Sequence, residues 1–554
     1  MELEEAKLPA VKAPSQNKEV QSKFIENEEQ PKIYLSGWRL HVLTAGMWIA
    51  LFLSTVETTI VSTSLVSITN ALSGFDKRDW IVTSYLLTYT GFLTIYAKLS
   101  DILGRKTMFI VGLASFSLFS ILCGISSNIV ELIVFRAFQG FGASGIYSMT
   151  LVIAPTIIPP GQMPKYIALI STVFALASVV GPLMGGAITE SGQWKWVFLF
   201  NAPAGFLASA VIIFTLPSTS NPGSQLSTKE TSQQKLSLKN LRRIDYIGVA
   251  LLLAASILLV FAFESAGIQY GWNSITIIVT LIFGFAIFFS FIIWEMWLQK
   301  RQDHFSEPIF PPQILKSRIT ASMFAASFFL GFPFTSVVIN IPQRAQAVYA
   351  FSSQHAGITL LPLLLTSPLA TVASGLLTSN GKVPPVYLVM AGAVTQIIGM
   401  GLTCSLPTDT LKFPSQQYGF EAIMGIGFGL TLSTILTLAP LVADERDLPV
   451  TMGALTQIRV LSGTFGLAIS ATVLNDHVTS RLSTTLDPQE LAAISNSLGA
   501  IKSLSPTQQS EVRVAFAEGF NQQNIVLAVF SAAALFSSLG LWERRPRKTE
   551  RSKH

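Results

Sequence analysis

Apolar residues occur along the chain in blocks of about 20, separated by short polar stretches. A block of that length can form an α-helix that crosses a hydrocarbon core about 30 Å thick. The blocks are continuous and do not alternate with a period of two, which favours helices over a transmembrane β-barrel. We predict an all-α, polytopic membrane protein with about fourteen spans, at 40–65, 80–99, 107–127, 131–153, 166–189, 196–216, 246–264, 273–295, 319–341, 356–378, 385–405, 418–440, 450–474 and 521–542.

The composition of the 554-residue chain supports this prediction, because 50% of its residues are hydrophobic and only 12% are charged. Soluble domains contain about 25% charged residues. The net charge of +6 does not indicate nucleic-acid binding, because Lys and Arg flank the apolar blocks instead of forming one basic stripe. The five histidines and two cysteines have no metal-ligand spacing, so we predict no metal site and no enzyme activity.

The polar segments predict the orientation of the chain in the membrane. An even number of spans places both termini on one side, and the basic loops favour the cytoplasm. We expect cytoplasmic tails at 1–38 and 543–554, a cytoplasmic linker at 217–244, and a long extracellular loop at 475–520 whose end can be helical. The expected location is the plasma membrane, with the vacuolar membrane as the alternative.

Ionisable side chains within the predicted spans are the first candidates for function, because a charge at a helix centre costs about 2.5–3.5 kcal/mol on insertion. We single out Glu57, Arg136 and Arg459. Glu57 shares a polar helix face with Ser54, Thr55, Thr58 and Ser62, and such a face should line a cavity. We predict that Glu57 binds a proton or balances the charge of a substrate. The alternative is that it pairs with a basic side chain only to hold the helices together.

The fourth predicted span carries a second polar face. Arg136, Gln139, Gly140, Ala143 and Tyr147 share that face at 100° per residue. A guanidinium stays protonated, so Arg136 cannot carry the proton, but it can change how readily a neighbouring carboxylate does so. The alternative is an arginine that is hydrogen-bonded by backbone carbonyls. The predicted candidates for the substrate cavity are Thr58, Gln139, Tyr147 and Arg459.

Two further segments are predicted to act in conformational change. In the turn after the second span, an acid, a glycine and two basic residues can form a latch between helix ends. In the fifth span, small residues four apart allow close helix packing, and a proline can bend the helix. A turn of similar composition at 375–382 indicates two related halves with a substrate site between them. The residues proposed for gating are Asp101, Gly104, Arg105, Lys106, Gly181, Pro182, Gly185 and Gly186.

Several segments together resemble the fourteen-helix drug:proton antiporter branch of the major facilitator superfamily. Residues 97–106 are similar to the loop signature of the superfamily, with Ala97 in place of the usual first glycine. Residues 132–143 match its fourth-span pattern, and 177–186 resemble the fifth-span pattern of exporters. Residues 57–61 resemble the first-span signature of the branch, in which Asp is more usual than Glu.

This resemblance implies two six-helix bundles, at 39–216 and 299–542, with two additional central helices at 245–298. It implies a fungal multidrug or toxin efflux transporter that exchanges small amphipathic molecules for protons by alternating access, with coupling through Glu57 and Arg136. A proton gradient would supply the energy without a bound cofactor, and the partners would be a small-molecule substrate, protons and the lipid bilayer around a monomer. The alternatives are a proton-linked importer or vacuolar transporter of siderophores or basic amino acids, and a sensor without transport activity.

Overall fold

The structure, a computed structural model, describes residues 35, 37–72, 78–159, 162–217, 243–266, 270–301, 307–351, 353–409, 412–444, 447–483, 485–487, 489–491, 494, 501 and 503–548. Most of the predicted tail at 1–38 and of the predicted linker at 217–244 lies outside these residues. Those two predictions therefore stay predictions.

Fourteen helices of 15 residues or more follow one another along the described residues. Each predicted span coincides with one of them. Short helices at Trp196–Leu199 and Ser353–Thr359 directly precede α6 and α10. The fourteen are α1 Trp38–Ala71, α2 Arg78–Leu103, α3 Arg105–Ile125, α4 Ile129–Ile157, α5 Met163–Glu190, α6 Asn201–Thr215, α7 Tyr246–Ser265, α8 Ile275–Arg301, α9 Arg318–Tyr349, α10 Leu361–Thr378, α11 Pro385–Cys404, α12 Gln416–Val442, α13 Leu448–Leu482 and α14 Pro506–Leu539.

The predicted all-α, polytopic membrane fold is confirmed. Within the described residues, 12 helical segments are long and apolar enough to cross a membrane, with the short helices counted together with α6 and α10. Helices α2 and α5 are not among the 12, although they contain 26 and 28 residues. The predicted figure of about fourteen membrane spans is therefore not reproduced by length and hydropathy alone.

Helix ends follow local rules of backbone chemistry. Gly104 separates α2 from α3 with a φ of 96°, a conformation in which a side chain would be strained. Asn128 begins α4, because its side chain accepts the backbone N–H of Glu131 at 2.9 Å. A capping box between Ser505 and Gln508 begins α14.

Three helices extend beyond the predicted bounds on the same side of the membrane. Helix α9 continues to Tyr349 instead of 341, and α13 continues to Leu482 instead of 474. Helix α14 begins at Pro506, whereas the last span was predicted from 521. The predicted loop at 475–520 is therefore helical at both of its ends. These extensions contain polar side chains, so hydropathy alone does not find them.

One face of the helix bundle holds both ends of the described chain, and we call it the terminal face. The Leu35 N–H donates to the Ile157 carbonyl at 3.0 Å, and Arg318 donates to the Trp542 carbonyl at 2.6 Å. A single hydrophobic cluster near these ends draws residues from α1–α6 and from α9 and α11–α14 alike, including Leu40, Met108, Leu216, Ile319 and Leu541. The two groups of helices are thus joined at the terminal face.

Away from the terminal face, the described hydrophobic clusters are separate. One cluster includes Ile60, Ile129 and Val197, and all its members belong to the first group of helices or to the turns between them. Another includes Val348, Leu482 and Phe520, and all its members come from the second group. Among the described residues, the core is therefore shared at the terminal face and divided at the opposite face.

Helices α7 and α8 pack against each other, and α7 also contacts α2 and α13. After α8, Glu307 accepts hydrogen bonds from Lys98 of α2 at 2.9 Å and from Arg243 at 2.6 Å. Partial burial raises the pKa of Glu307, but the charges and hydrogen bonds of Lys98 and Arg243 outweigh this effect and bring the pKa to about 2. Glu307 therefore stays ionised at physiological pH and ties the end of this helix pair to α2.

Candidate functional site

The two residues predicted for proton coupling, Glu57 and Arg136, contact each other inside the first group of helices. Glu57 on α1 has an exposed fraction of 0%, and Arg136 on α4 has 1%. The Arg136 Nη1 atom lies 2.6 Å from the Glu57 Oε1 atom. Arg136 is about two turns from the start of α4 at Ile129, so the ion pair lies nearer to the face opposite the terminal face.

Four helices supply the polar side chains around this pair. Asn201 at the start of α6 donates to the Glu57 Oε2 atom at 2.5 Å. Gln139, one turn after Arg136, accepts from Arg136 at 2.7 Å and donates to Ser120 of α3 at 2.7 Å. Both oxygens of the carboxylate are therefore hydrogen-bonded, as a buried charge requires.

Arg136 is also held by contacts that do not involve Glu57. Its Nε–H donates to the Ile81 carbonyl at 3.1 Å, and its guanidinium lies 4.3 Å from the centre of the Tyr85 ring. The Tyr85 hydroxyl in turn donates to the Ser54 carbonyl of α1 at 2.9 Å. Loss of the Glu57 charge would thus leave the arginine with other partners. Arg136 contacts both a carboxylate and a backbone carbonyl, so its two predicted roles both stay predictions.

Two of the predicted cavity residues meet between the two groups of helices. Arg459 of α13 donates to the Tyr147 hydroxyl of α4 at 2.9 Å. The rings of Tyr89 and Phe174 lie 6.1 and 5.9 Å from the Tyr147 ring. This cluster joins an aromatic surface to one cation, a combination that suits amphipathic molecules.

The other two predicted cavity residues have different surroundings. Gln139 is fully buried in the network around Arg136, where it accepts from Arg136 and donates to Ser120. Thr58 is half-buried on α1 and donates to the Thr55 carbonyl of its own helix at 2.8 Å. The structure therefore assigns Gln139 to the ion-pair network, and the role predicted for Thr58 stays a prediction.

The predicted latch residues lie together at the terminal face. The Asp101 carboxylate is 3.7 Å from the guanidinium of Arg105, which is itself buried. Lys106 donates to the carbonyls of Ile213 and Leu216, at 2.6 and 2.8 Å. The last carbonyls of a helix attract a cation, so Lys106 ties the start of α3 to the end of α6.

The predicted glycines of α5 differ in their surroundings. A Cβ atom at Gly181 would lie 2.7 Å from the Cβ atom of Thr59 on α1, closer than real side chains approach. The Gly185 carbonyl accepts a hydrogen bond from Ser64 of α1 at 3.4 Å. A Cβ atom at Gly186 would meet no atom within 4 Å. Pro182 lies within α5, but its side chain is not among those described, and the predicted bend stays a prediction.

We expect Gly181→Ala to weaken the packing of α5 on α1, because the added methyl group must displace Thr59. Overpacking of this kind costs about 1–3 kcal/mol. The thermal unfolding midpoint of the detergent-solubilised protein measures the effect. Gly186→Ala is the matched control, and it should be neutral or slightly stabilising because alanine favours helix by up to about 1 kcal/mol over glycine. Equal midpoints for the two variants would contradict the close contact.

A second set of buried polar residues was not predicted from the sequence. Arg344 of α9 and Glu421 of α12 have exposed fractions of 3% and 0%, so Glu57, Arg136 and Arg459 are not the only ionisable groups inside the helices. Arg344 lies beyond the predicted end of its span, whereas Glu421 lies within its predicted span at 418–440 and was overlooked. Gln457 of α13 was also missed; it accepts a hydrogen bond from Thr94 of α2 and donates to Ser256 of α7 at 2.9 Å.

Comparison with known proteins places this architecture in a family. A profile of the Major Facilitator Superfamily matches residues 47–307. The MFS-type transporter FPY5 of Fusarium mangiferae is 46% identical over 535 residues, covering 96% of this chain and 89% of that protein. The MFS-type efflux pump MFS1 of Arthroderma benhamiae is 28% identical over 525 residues, covering 94% of each. The crystal structure of the human organic anion transporter MFSD10 (TETRAN) superposes with a TM-score of 0.56 at 13% identity, covering 92% of this chain and 100% of the other.

The fold and these matches define a multi-pass membrane transporter of small molecules. The chain belongs to the major facilitator superfamily, as the resemblance of its motifs predicts. The family and the similar proteins are transporters, not enzymes.

Proposed function

We propose that this chain exports small amphipathic organic molecules in exchange for protons, by alternating access. The observation that carries this proposal is the Glu57–Arg136 ion pair, which is buried and closes at 2.6 Å. An ionisable pair inside a membrane protein is costly to bury, so a function in proton or substrate movement is its default interpretation. The name of the similar Arthroderma protein, an efflux pump, supports the outward direction.

The coupling step follows from the contacts of the two side chains. When Glu57 binds a proton, its attraction to Arg136 falls, while Arg136 keeps the Ile81 carbonyl and the Tyr85 ring. Helix α1 is then less tightly held to α4. When the proton leaves, the ion pair forms again and draws the two helices together. Two states of one carboxylate thus favour two helix arrangements, which is the requirement for coupling.

The arrangement of the hydrophobic clusters fits one half of such a cycle. The shared core at the terminal face corresponds to closure on that side. We assign the terminal face to the cytoplasmic side of the plasma membrane because it carries basic residues such as Arg105 and Lys106. Glu57 then receives its proton from outside while cargo leaves. The proposed cargo contacts lie between the two groups of helices and are Tyr147, Tyr89, Phe174 and Arg459. The energy source is the proton gradient, and the functional unit is a monomer.

Reconstitution of the full-length protein in proteoliposomes tests the proposal. We expect an imposed acid-inside pH gradient to drive uptake of aromatic probes of fixed charge, such as ethidium, because fixed charge prevents passive trapping by protonation. Addition of the probe should raise the internal pH, and a protonophore should abolish both signals. Protons and probe moving in the same direction would instead indicate symport, and probe flux without proton movement would contradict coupling.

A further inference from the structure

A small cavity lies within the second group of helices, between α9, α11, α12 and α14. Its lining includes Arg344 and Asn340 of α9, Glu421 and Gln417 of α12, and Asn524 of α14. Arg344 and Glu421 are both buried. The cavity therefore places two groups that can carry opposite charges among neutral polar side chains, next to an apolar cluster that contains Leu363, Met424 and Phe428.

The cavity occupies the place in the second group of helices that the Glu57 site occupies in the first. The first site uses the first, third, fourth and sixth helices of α1–α6, and the cavity uses the first, third, fourth and sixth helices of α9–α14. The positions of the two charges are exchanged between the sites. In the first site the acid lies on α1 and the arginine on α4, whereas in the cavity the arginine lies on α9 and the acid on α12. In each site an asparagine of the sixth helix contacts the charged residue of the first helix: Asn201 contacts Glu57, and Asn521 contacts Arg344 at 2.6 Å.

The two sites differ in how their polar atoms are satisfied. Arg136 and Glu57 form an ion pair, whereas no N–O distance of 4.0 Å or less joins Arg344 to Glu421. Among the described residues, the buried Nε and Nη2 atoms of Arg344 and the buried Oε2 atom of Glu421 have no hydrogen-bond partner. A buried polar group without a partner costs about 1–3 kcal/mol, and more when it is charged. A molecule bound in the cavity would supply the missing partners of these atoms.

The unpartnered atoms of Arg344 have a defined chemistry. Nε–H and the adjacent Nη2–H form one edge of the guanidinium, which binds a carboxylate with two parallel hydrogen bonds. Arg243 uses these same two nitrogens to bind the Glu307 carboxylate, although both donate to one oxygen, Oε1, at 3.1 and 2.6 Å. In the cavity, the unpartnered Oε2 atom of Glu421 can accept a hydrogen bond from a hydroxyl or ammonium group on the same ligand, a donor that a plain carboxylate lacks.

We propose that this cavity binds a carboxylate that carries a neighbouring hydroxyl or amino group, either as a small acid or as the end of a larger organic molecule. The carboxylate binds the Nε–Nη2 edge of Arg344, and the hydroxyl or amino group donates to Glu421. The remaining nitrogen of Arg344, Nη1, donates to Asn521, which holds the arginine in place. Gln417 holds Glu421 by donating to its Oε1 atom at 2.8 Å.

The thermal unfolding midpoint of the purified full-length protein tests this site without any transport step, so failure of proton coupling leaves the result interpretable. At fixed pH and ionic strength, L-lactate should raise the midpoint saturably, and acetate should require about tenfold more because it lacks the donor for Glu421. Methyl lactate, which has no charge, should have no effect. If 2-hydroxyoctanoate raises the midpoint more than lactate does, the ligand is the end of a larger molecule. If the two raise it equally, the ligand is a small acid.

Variants complete the test. Arg344→Lys keeps the charge but lacks the two-nitrogen edge, so its affinity for lactate should fall by at least about tenfold. Glu421→Gln should remove the preference for lactate over acetate, which keeps the test valid if Arg344→Lys fails to fold. Arg243→Lys is the matched control, because its edge already binds Glu307, and it should respond to lactate as the wild type does. The proposal is overturned if wild-type protein shows no saturable response to lactate, if methyl lactate acts as lactate does, or if Arg344→Lys binds lactate normally.

Discussion

Glu57→Gln is expected to abolish probe uptake driven by a pH gradient while leaving probe exchange without a gradient. Glutamine keeps the shape of the side chain and can still accept a hydrogen bond from Asn201, but it cannot change its charge. A carrier that no longer binds the proton can still move between its two arrangements with cargo on both sides. Net uptake should fall to the level of empty vesicles, at least about a hundredfold below wild type if coupling depends on this group.

The control for this experiment is Glu131→Gln. Glu131 lies near the start of the same helix as Arg136, but it is half-buried, and its hydrogen bonds among the described residues go to Ser127 and Asn128 at that helix start. Its loss should leave gradient-driven uptake unchanged. Gel filtration establishes that both variants are folded before transport is compared. Normal gradient-driven uptake by Glu57→Gln would remove the proton-coupling role from Glu57.

The sequence identifies both members of the first ion pair as candidate functional residues, because each is a rare charge in an apolar span, but it does not predict that they pair with each other. Helical periodicity then places Arg136 and Gln139 on one face, and the structure joins both to the network around Glu57. The contacts of Asn201 and Ser120 could not be predicted, because they depend on how α6 and α3 pack against α1 and α4. Periodicity describes one helix at a time and carries no information on its neighbours.

The second polar cavity shows where hydropathy misleads. Arg344 lies past the point where the apolar block of α9 ends, although the helix continues to Tyr349. Glu421 follows only five residues after α12 begins at Gln416, near a predicted boundary where a charge is unremarkable. Helix boundaries are the least certain part of a prediction from sequence. A charge close to such a boundary is therefore easily overlooked, although tertiary packing buries it.

The close approach at Gly181 illustrates a different limit. Small residues four apart predict that α5 has a face for tight packing, but they do not show which glycine meets a neighbour. Gly181 contacts Thr59, whereas a side chain at Gly186 would face open space. The pattern identifies the helix face, and only the partner helix decides which position on it is intolerant of a methyl group.

Arg136→Met is expected to destabilise the protein by about 3–5 kcal/mol, because it leaves the buried Glu57 carboxylate without its cation. The double variant Glu57→Gln/Arg136→Met should be less destabilised than the sum of the two single variants, since replacing a whole buried pair is often close to neutral. The free energy of unfolding in mixed detergent micelles, measured for the four members of the cycle, gives a coupling energy that we expect to be about 3 kcal/mol.

A second cycle on Arg481 and Glu518 calibrates this value. That pair is 3.6 Å apart and partly exposed, so its coupling should be below about 1 kcal/mol. If the destabilisation of the Glu57–Arg136 double variant equals the sum of those of the two single variants, the two side chains do not interact in the folded protein. Two results together would separate the two roles predicted for Glu57, proton binding and holding the helices together. The coupling energy would be large, and the double variant would be folded but would take up no probe along a pH gradient. Helix association would then be achievable without the charges, and their retention in the wild type would be explained by transport.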